Sequence, residues 1–442
     1  MGNSSDKKLT KLGLRELIAM GVGGMIGGGI FSVLGIAVDI SGHAAPLAFA
    51  LGGLIALAAG YSYVKLALAF HSDGASFTYL ERAFPDQPNI AGIAGWTVIV
   101  GYIGTLALYA FTFGAYGADL LGSSDTILSR MFLSAGVLLF FMLVNLWGVK
   151  ASGEAEDIAV YSKIIILLLF GIMGLTTVKQ DHLLPIFSKG TTSVFMAGAL
   201  IFVAYEGFQL ITNAVCETKN PHKNIPKGIY GSIILTSFIY LILAIVGVGN
   251  LTPAELSAAK EYALAAAAEP VLGNTGRVLV ALAALLATSS AINSTTFGAS
   301  RMMAEMATEK KMPLAFSFRN KTRVPWVAIV VLTSLALLFT LLGGLETIAA
   351  FSSMTFLLVS IGVSIANFRL RQKTASKTSL IVLGIFLMCA TITTLILYLW
   401  QVQRVTLIWI GAFYLIVIVV ELLFSKRRIL FQNHESQKSR RR

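Results

Sequence analysis

The sequence predicts an all-α polytopic membrane protein of twelve transmembrane helices, the first and sixth broken near mid-depth. Three observations predict it. The 442 residues are 56% apolar and 13% charged, with a mean hydropathy of +0.78. That is too hydrophobic for a soluble domain and long enough for about a dozen spans of roughly 20 residues. The stretch from Gly21 to Phe31 places six glycines in eleven positions inside an apolar run. Five spans later, Phe202-Val203-Ala204-Tyr205-Glu206-Gly207-Phe208-Gln209 sets a carboxylate beside a glycine deep in another apolar run.

The first span is organised by its glycines. Gly costs roughly 1 kcal/mol against Ala in a helix interior, so six together favour an unwound break with bare backbone amides and carbonyls. In lipid, bare backbone is tolerated only where protein covers it or it lines a cavity, and a span broken at mid-depth marks the binding site of secondary transporters. A second reading also fits: Gly23 with Gly27, and Gly24 with Gly28, are small-xxx-small pairs that permit close helix packing without any site. A dinucleotide fingerprint fails, because Ile26 or Ser32 stands where the third glycine belongs, and a phosphate-binding loop fails for want of a Gly-Lys-Ser/Thr ending.

Apolar runs between polar or proline-containing breaks place the spans at 14–38, 45–70, 90–121, 131–149, 158–178, 192–214, 228–250, 274–306, 325–343, 346–368, 379–400 and 405–424. The chain then reads as a tail (1–13), one transporter domain (14–424) and a basic tail (425–442). Broken spans one and six, five apart, suggest a 5+5 inverted repeat of helices 1–5 and 6–10, with helices 11 and 12 outside it. With this count, the side holding both termini carries 26 Lys and Arg and the opposite side six: Arg130, Lys179, Lys189, Lys260, Arg277 and Arg404. Positive loops stay inside, so both termini are expected in the cytoplasm of a cell-membrane protein. The net charge of +12 therefore reflects topology and lipid contact, with no nucleic-acid partner expected. The polar, basic N-terminus runs directly into span one and has no cleavable leader pattern.

Between the sixth and seventh spans, Glu217-Thr218-Lys219-Asn220-Pro221-His222-Lys223-Asn224-Ile225-Pro226 is a polar turn whose prolines stop one helix and aim the next. The longest outer loop, about 250–273, holds a capped short helix at Thr252-Pro253-Ala254-Glu255 and then an Ala-rich run. Two cysteines, Cys216 and Cys389, and five scattered histidines support neither a disulfide framework nor a metal site. No catalytic constellation emerges, so neither an enzyme nor a cofactor is expected.

Three elements carry chemistry. If the second half of span one starts near Gly27, Gly28, Gly29 and Ile30, its free N–H groups and dipole suit a carboxylate. Carbonyls ending the first half, near Met25, suit an ammonium, and an α-amino acid presents both charges. Lys163, about two turns into span five, is an expensive charge that could couple transport to a proton; snorkelling to the interface near Asp157 fits equally well. Glu206 could bind a substrate amine, titrate with transport, or tie the two half-helices together. In span eight, Ser290, Asn293 and Thr295 form a polar cluster that faces the same cavity or serves packing.

At these residues the chain resembles the amino acid–polyamine–organocation (APC) superfamily of amino acid permeases. Gly21 to Phe31 is similar to its GxGxxIGxGIF first-span motif. Phe202 to Phe208 with Glu217-x-Lys219-Asn220-Pro221-x-x-x-Ile225-Pro226 is similar to its sixth span and following loop, and Gly148-Val149-Lys150 with Lys163 thirteen residues on matches its fourth-to-fifth span register. The resemblance covers about residues 10–424. It implies a LeuT-like fold, alternating access, and substrate contact at Met25, Gly27, Gly28, Gly29 and Ile30. It also places Lys163 where proton-coupled members carry a lysine in the place of a sodium ion. Val203, Glu206 and Gln209 depart from the common Phe, Ile and Asp of that motif, and Thr295 stands near the span-eight gate where a large aromatic is usual.

The expected function is proton-coupled transport of an amino acid or related amine, with Val203, Glu206, Gly207, Asn293 and Thr295 completing the site. An amino acid or polyamine exchanger is the alternative within transport. A receptor that keeps the fold without flux is the alternative outside it; no filter-like repeat suggests a channel.

Overall fold

The computed structural model describes residues 12–72, 75–123, 126–148 and 153–439. Lys7, Lys8, Lys11, Val149, Lys150 and the three terminal arginines, all used in the sequence reading, lie outside the described residues, as do the side chains of the tail beyond residue 422.

The described residues are mainly helical and form no β-strand, only one isolated bridge between Leu12 and Thr218. α1 (Leu14–Met25) and α2 (Gly29–Ser41) form the broken first span, and α3 (Ala45–Ala69) follows after a 3-10 turn. α4 (Ala75–Ala83) is a short helix that the sequence reading does not anticipate. Next come α5 (Pro88–Leu120), α6 (Ile127–Trp147) and α7 (Gly153–Leu175). The sixth span is α8 (Thr192–Leu200) with 3-10 segments at Ile201–Tyr205 and Phe208–Glu217. α9 (Pro221–Asn250), α10 (Pro253–Ala258), α11 (Ala263–Thr308), α12 (Trp326–Leu342), α13 (Leu345–Arg369), α14 (Thr378–Val402) and α15 (Arg404–Ser439) complete the chain.

Among the described residues, nine helical segments are long and apolar enough to cross a membrane, with two shorter apolar helices at Val160–Leu175 and Trp326–Leu342. One of the nine, Gly29–Ala69, joins α2 to α3 across the turn at Gly42–Ala44. The chain is thus a polytopic all-α membrane protein, and among the described residues each expected apolar span overlaps helix.

Sequence punctuation explains the helix ends. Pro46, Pro88 and Pro221 sit in the first turns of α3, α5 and α9, where a missing N–H costs nothing. Gly148 ends α6 at φ 78°, in the left-handed region. Thr252 caps α10, its hydroxyl oxygen accepting from Glu255 N at 3.3 Å; the Glu255 carboxylate in turn accepts from the Thr252 hydroxyl and from Thr252 N, each at 2.7 Å, and these two bonds hold the Glu255 carboxyl below its usual range. Beyond it the structure departs from expectation. The Ala-rich run is not loop but the first turns of α11, which kinks at Gly273 (φ 65°) just after Pro270.

The end of the molecule away from Leu12 is closed by ion pairs. Lys260 Nζ lies 3.1 Å from Asp39 Oδ2 and 3.3 Å from Glu346 Oε2, and Tyr398 donates to Glu346 Oε1 at 2.6 Å. Burial pulls on the Lys260 ammonium, but its bonds to Asp39 and Glu346 outweigh that and hold it above its ordinary range. Arg277 pairs with Asp119 and Glu269, and Arg130 with Glu261. Three of the six cations counted on the side opposite the termini, Arg130, Lys260 and Arg277, thereby tie separate segments together. The strap carrying Lys260 sits against α2 because Gly35 has no side chain: a Cβ there would meet the Lys260 carbonyl oxygen at 2.3 Å. Gly35→Ala is expected to lift the strap and lower stability by about 1–3 kcal/mol, read as a lower melting temperature in detergent.

Candidate functional site

The two interrupted spans touch at their breaks. Gly207 adopts φ 137°, open only to glycine, and a Cβ on it would lie 2.5 Å from Gly24 C and Met25 N. The break in span one is shorter than its glycine content suggests. Gly21, Gly23 and Gly24 remain in α1, and only Ile26 to Gly28 leave the helix. Their missing side chains serve close packing: a Cβ on Gly21 would strike Ser232, one on Gly23 would strike Val160, and one on Gly24 would meet Gly207 Cα. Both readings of the motif therefore hold, packing for its first half and unwinding for its second.

In span six, α8 ends at Leu200 and the chain tightens into 3-10 geometry before Glu206 extends (φ −67°, ψ 133°). Ser353 of α13 repairs the freed backbone, donating to Leu200 O at 2.5 Å and accepting from Val203 N at 2.9 Å. Tyr240 of α9 bridges the breaks, its hydroxyl lying 2.7 Å from Met25 O and 3.1 Å from Ala204 O. Tyr240→Phe leaves two buried carbonyls short of that donor and is expected to cost about 1–3 kcal/mol, measurable by thermal unfolding.

A cavity of about 560 Å3 reaches the breaks. Gly23, Gly24, Glu206, Gly207, Ser290 and Thr295 line its inner part, and Asn213, Glu217, Gly298 and Glu305 its mouth. The mouth residues are exposed and Glu206 is not, so the cavity opens at the end of the molecule that carries Leu12. It is large enough for an amino-acid-sized solute.

The expected site residues divide. Glu206, Gly207 and Thr295 line the cavity, whereas Met25, Gly27, Gly28, Gly29, Ile30, Val203 and Asn293 do not. The Tyr109 ring covers the glycines: its Cδ1 lies 2.5 Å from where a Gly28 Cβ would stand, and Ala291 occupies the corresponding space at Gly27. Met25 O already accepts from Tyr240, and Val203 is buried with its amide on Ser353. Asn293 Oδ1 accepts from Asn145 Nδ2 at 2.9 Å, an interhelical tie between α11 and α6.

Lys163 does not snorkel. Its side chain is 1% exposed and Nζ donates to Gly23 O at 3.0 Å, within α1 and just ahead of the break. Glu206 accepts on Oε1 from Gln209 Nε2, and Gln209 Oε1 in turn accepts from Gly207 N at 3.2 Å. Gln209, a departure from the motif, thus positions the carboxylate.

Sequence reasoning missed the aromatic lining: Tyr63, Tyr102, Tyr109 and Phe356. Tyr102 and Tyr109 lie seven residues apart on α5 with Thr105 between them, on one helical face. That spacing, with a hydroxyl at each position, was the available signal, and it reads equally as core.

Comparison with known proteins follows the same lines. The profile of a family described as amino acid permease matches residues 12–427. An uncharacterised protein of Methanocaldococcus jannaschii is 32% identical over 95% of this chain and 96% of its own length. The inner membrane transport protein YbaT of Escherichia coli is 30% identical over 97% of this chain and 98% of its own. The serine/threonine exchanger SteT of Bacillus subtilis is 25% identical over 84% of this chain and 86% of its own. With two broken helices meeting at a solute-sized cavity and a family profile spanning nearly the whole sequence, the chain belongs to the amino acid permeases of the APC superfamily.

Proposed function

We propose that this permease is a proton-coupled secondary transporter of amino acids or closely related amines, working by alternating access in the cytoplasmic membrane. In this reading residues 14–424 form one transporter domain of twelve spans with a LeuT-like 5+5 repeat, and the tails 1–13 and 425–442 both lie in the cytoplasm. The observation that carries it is the cavity that ends where Gly24 meets Gly207 and opens at the end of the molecule carrying Leu12, while the Lys260 and Arg277 ion pairs tie segments at the opposite end.

Lys163 is the proposed coupling group. As an ammonium it holds Gly23 O and with it the end of α1. As a neutral amine it would hold that carbonyl more weakly, because charge-assisted hydrogen bonds are roughly twice as strong as neutral ones. Proton loss toward the cytoplasm would then free α1 to move, and reprotonation from outside would reset it. Substrate enters at the breaks, with Glu206, Gly207 and Thr295 in contact, and moves past Tyr109 to reach Gly27, Gly28 and Gly29.

The test is uptake of labelled amino acids into proteoliposomes of the purified protein. Accumulation above the equilibrium level is expected when an inward proton gradient is imposed, and uptake indifferent to the gradient would remove the coupling. The name of one relative, a serine/threonine exchanger, supports a second reading in which substrate on the far side replaces the proton. An absolute requirement for internal substrate would favour it.

A further inference from the structure

The cavity ends on a carboxylate that is half uncommitted. Glu206 is 6% exposed; Gln209 occupies Oε1, while Oε2 is buried and has no hydrogen-bond partner among the described residues. Burying a carboxylate without a partner is costly, and an incoming cation removes that cost. The surroundings also favour a cation. Tyr63, Tyr102, Tyr109 and Phe356 line the same cavity, and aromatic faces attract ammonium groups. Glu206, Glu217 and Glu305 set three carboxylates along the cavity against the single guanidinium of Arg301, which lies 3.2 Å over the Phe297 ring. The buried cation of this region, Lys163, is directed to Gly23 O and is not among the lining residues.

We propose that Glu206 is the subsite for a protonated side-chain amine, so that the preferred substrate is a basic amino acid or a diamine. This rests on the reading that the chain moves amino acids or amines through the cavity. The ammonium binds Glu206 Oε2 among the tyrosines, and Gln209 holds the opposite oxygen so that the carboxylate keeps one orientation. A neutral side chain of the same length leaves Oε2 buried and unpaired, which sets the discrimination.

The test is ligand-dependent thermal stabilisation of the purified full-length chain by lysine, ornithine, putrescine and the neutral analogue norleucine, in wild type and Glu206→Gln. The cations are expected to bind about tenfold or more tightly than norleucine, the scale of one buried charge-assisted hydrogen bond. Glu206→Gln is expected to erase that preference while still binding norleucine. Norleucine binding wild type as tightly as lysine and putrescine would overturn the proposal, as would a Glu206→Gln protein that keeps the cation preference and loses only pH sensitivity. Should Glu206→Gln fail to fold, the wild-type ratio of lysine to norleucine decides alone. Neutral amino acids bound and accumulated without cation preference would overturn the amine subsite and leave transport standing. No stabilisation and no accumulation by any of these compounds would overturn both.

Discussion

Lys163→Ala is expected to abolish accumulation driven by a pH gradient, lowering it tenfold or more, while exchange of substrate for substrate remains measurable. The expectation follows from a single contact. Lys163 is the buried ammonium that holds Gly23 O across the α1–α7 boundary, and the break begins only three residues later, at Ile26. In the proposed mechanism that contact depends on a proton, and removing the amine removes the dependence. It also leaves a cavity, so Lys163→Met is the companion variant: it restores most of the volume without the charge. If both variants lose gradient-driven uptake and Lys163→Met keeps wild-type stability, the loss belongs to the proton and not to packing. Wild-type accumulation by Lys163→Met would take Lys163 out of the coupling mechanism.

Gly207→Ala is expected to be strongly damaging, both to stability and to the site. Its φ of 137° strains any L side chain, and the added carbon would sit 2.5 Å from two backbone atoms of span one, neither of which can rotate away. Strain of this kind together with overpacking costs on the order of 3 kcal/mol. Part would be relieved by parting the two breaks, so substrate binding should fall along with the melting temperature. Gly298→Ala is the control: no atom lies within 4 Å of a Cβ there, although the residue lines the cavity mouth. It should change the melting temperature little. Comparable losses in both variants would mean that the contact of the breaks carries no special weight.

How much of this was legible in the sequence depended on whether a residue's meaning is local. Hydropathy and proline placement located the helices, because bilayer thickness and backbone sterics act on each segment independently. The glycines of span one announced a break, and Glu206-Gly207 announced its counterpart. Which glycines unwind was not legible: Gly21, Gly23 and Gly24 stay helical because Ser232, Val160 and Gly207 arrive from distant segments. The fate of Lys163 was open for the same reason, since snorkelling and burial differ only in whether a carbonyl such as Gly23 O lies within reach. Asn293 read as a cavity residue because its partner, Asn145, lies 148 positions away on α6. The tyrosines were illegible because an aromatic at helical spacing looks the same whether it faces a core or a cavity. The covering of Gly28 by Tyr109 is a property of the conformation described, and the sequence encodes the glycine and the ring without saying that they meet.

The site is tested most directly by chemical access to its inner wall. Ser294 of α11 lines the cavity among Ser290, Ala291 and Thr295, and the two native thiols, Cys216 and Cys389, are exposed and can be replaced by serine. In that background, Ser294→Cys should be alkylated by a small water-soluble maleimide through the mouth beside Glu217 and Glu305. Saturating transported substrate should slow the reaction severalfold, because solute at the breaks and reagent compete for one cavity. A rate that is unchanged by a substrate the same protein demonstrably transports would contradict a binding site where the two broken helices meet.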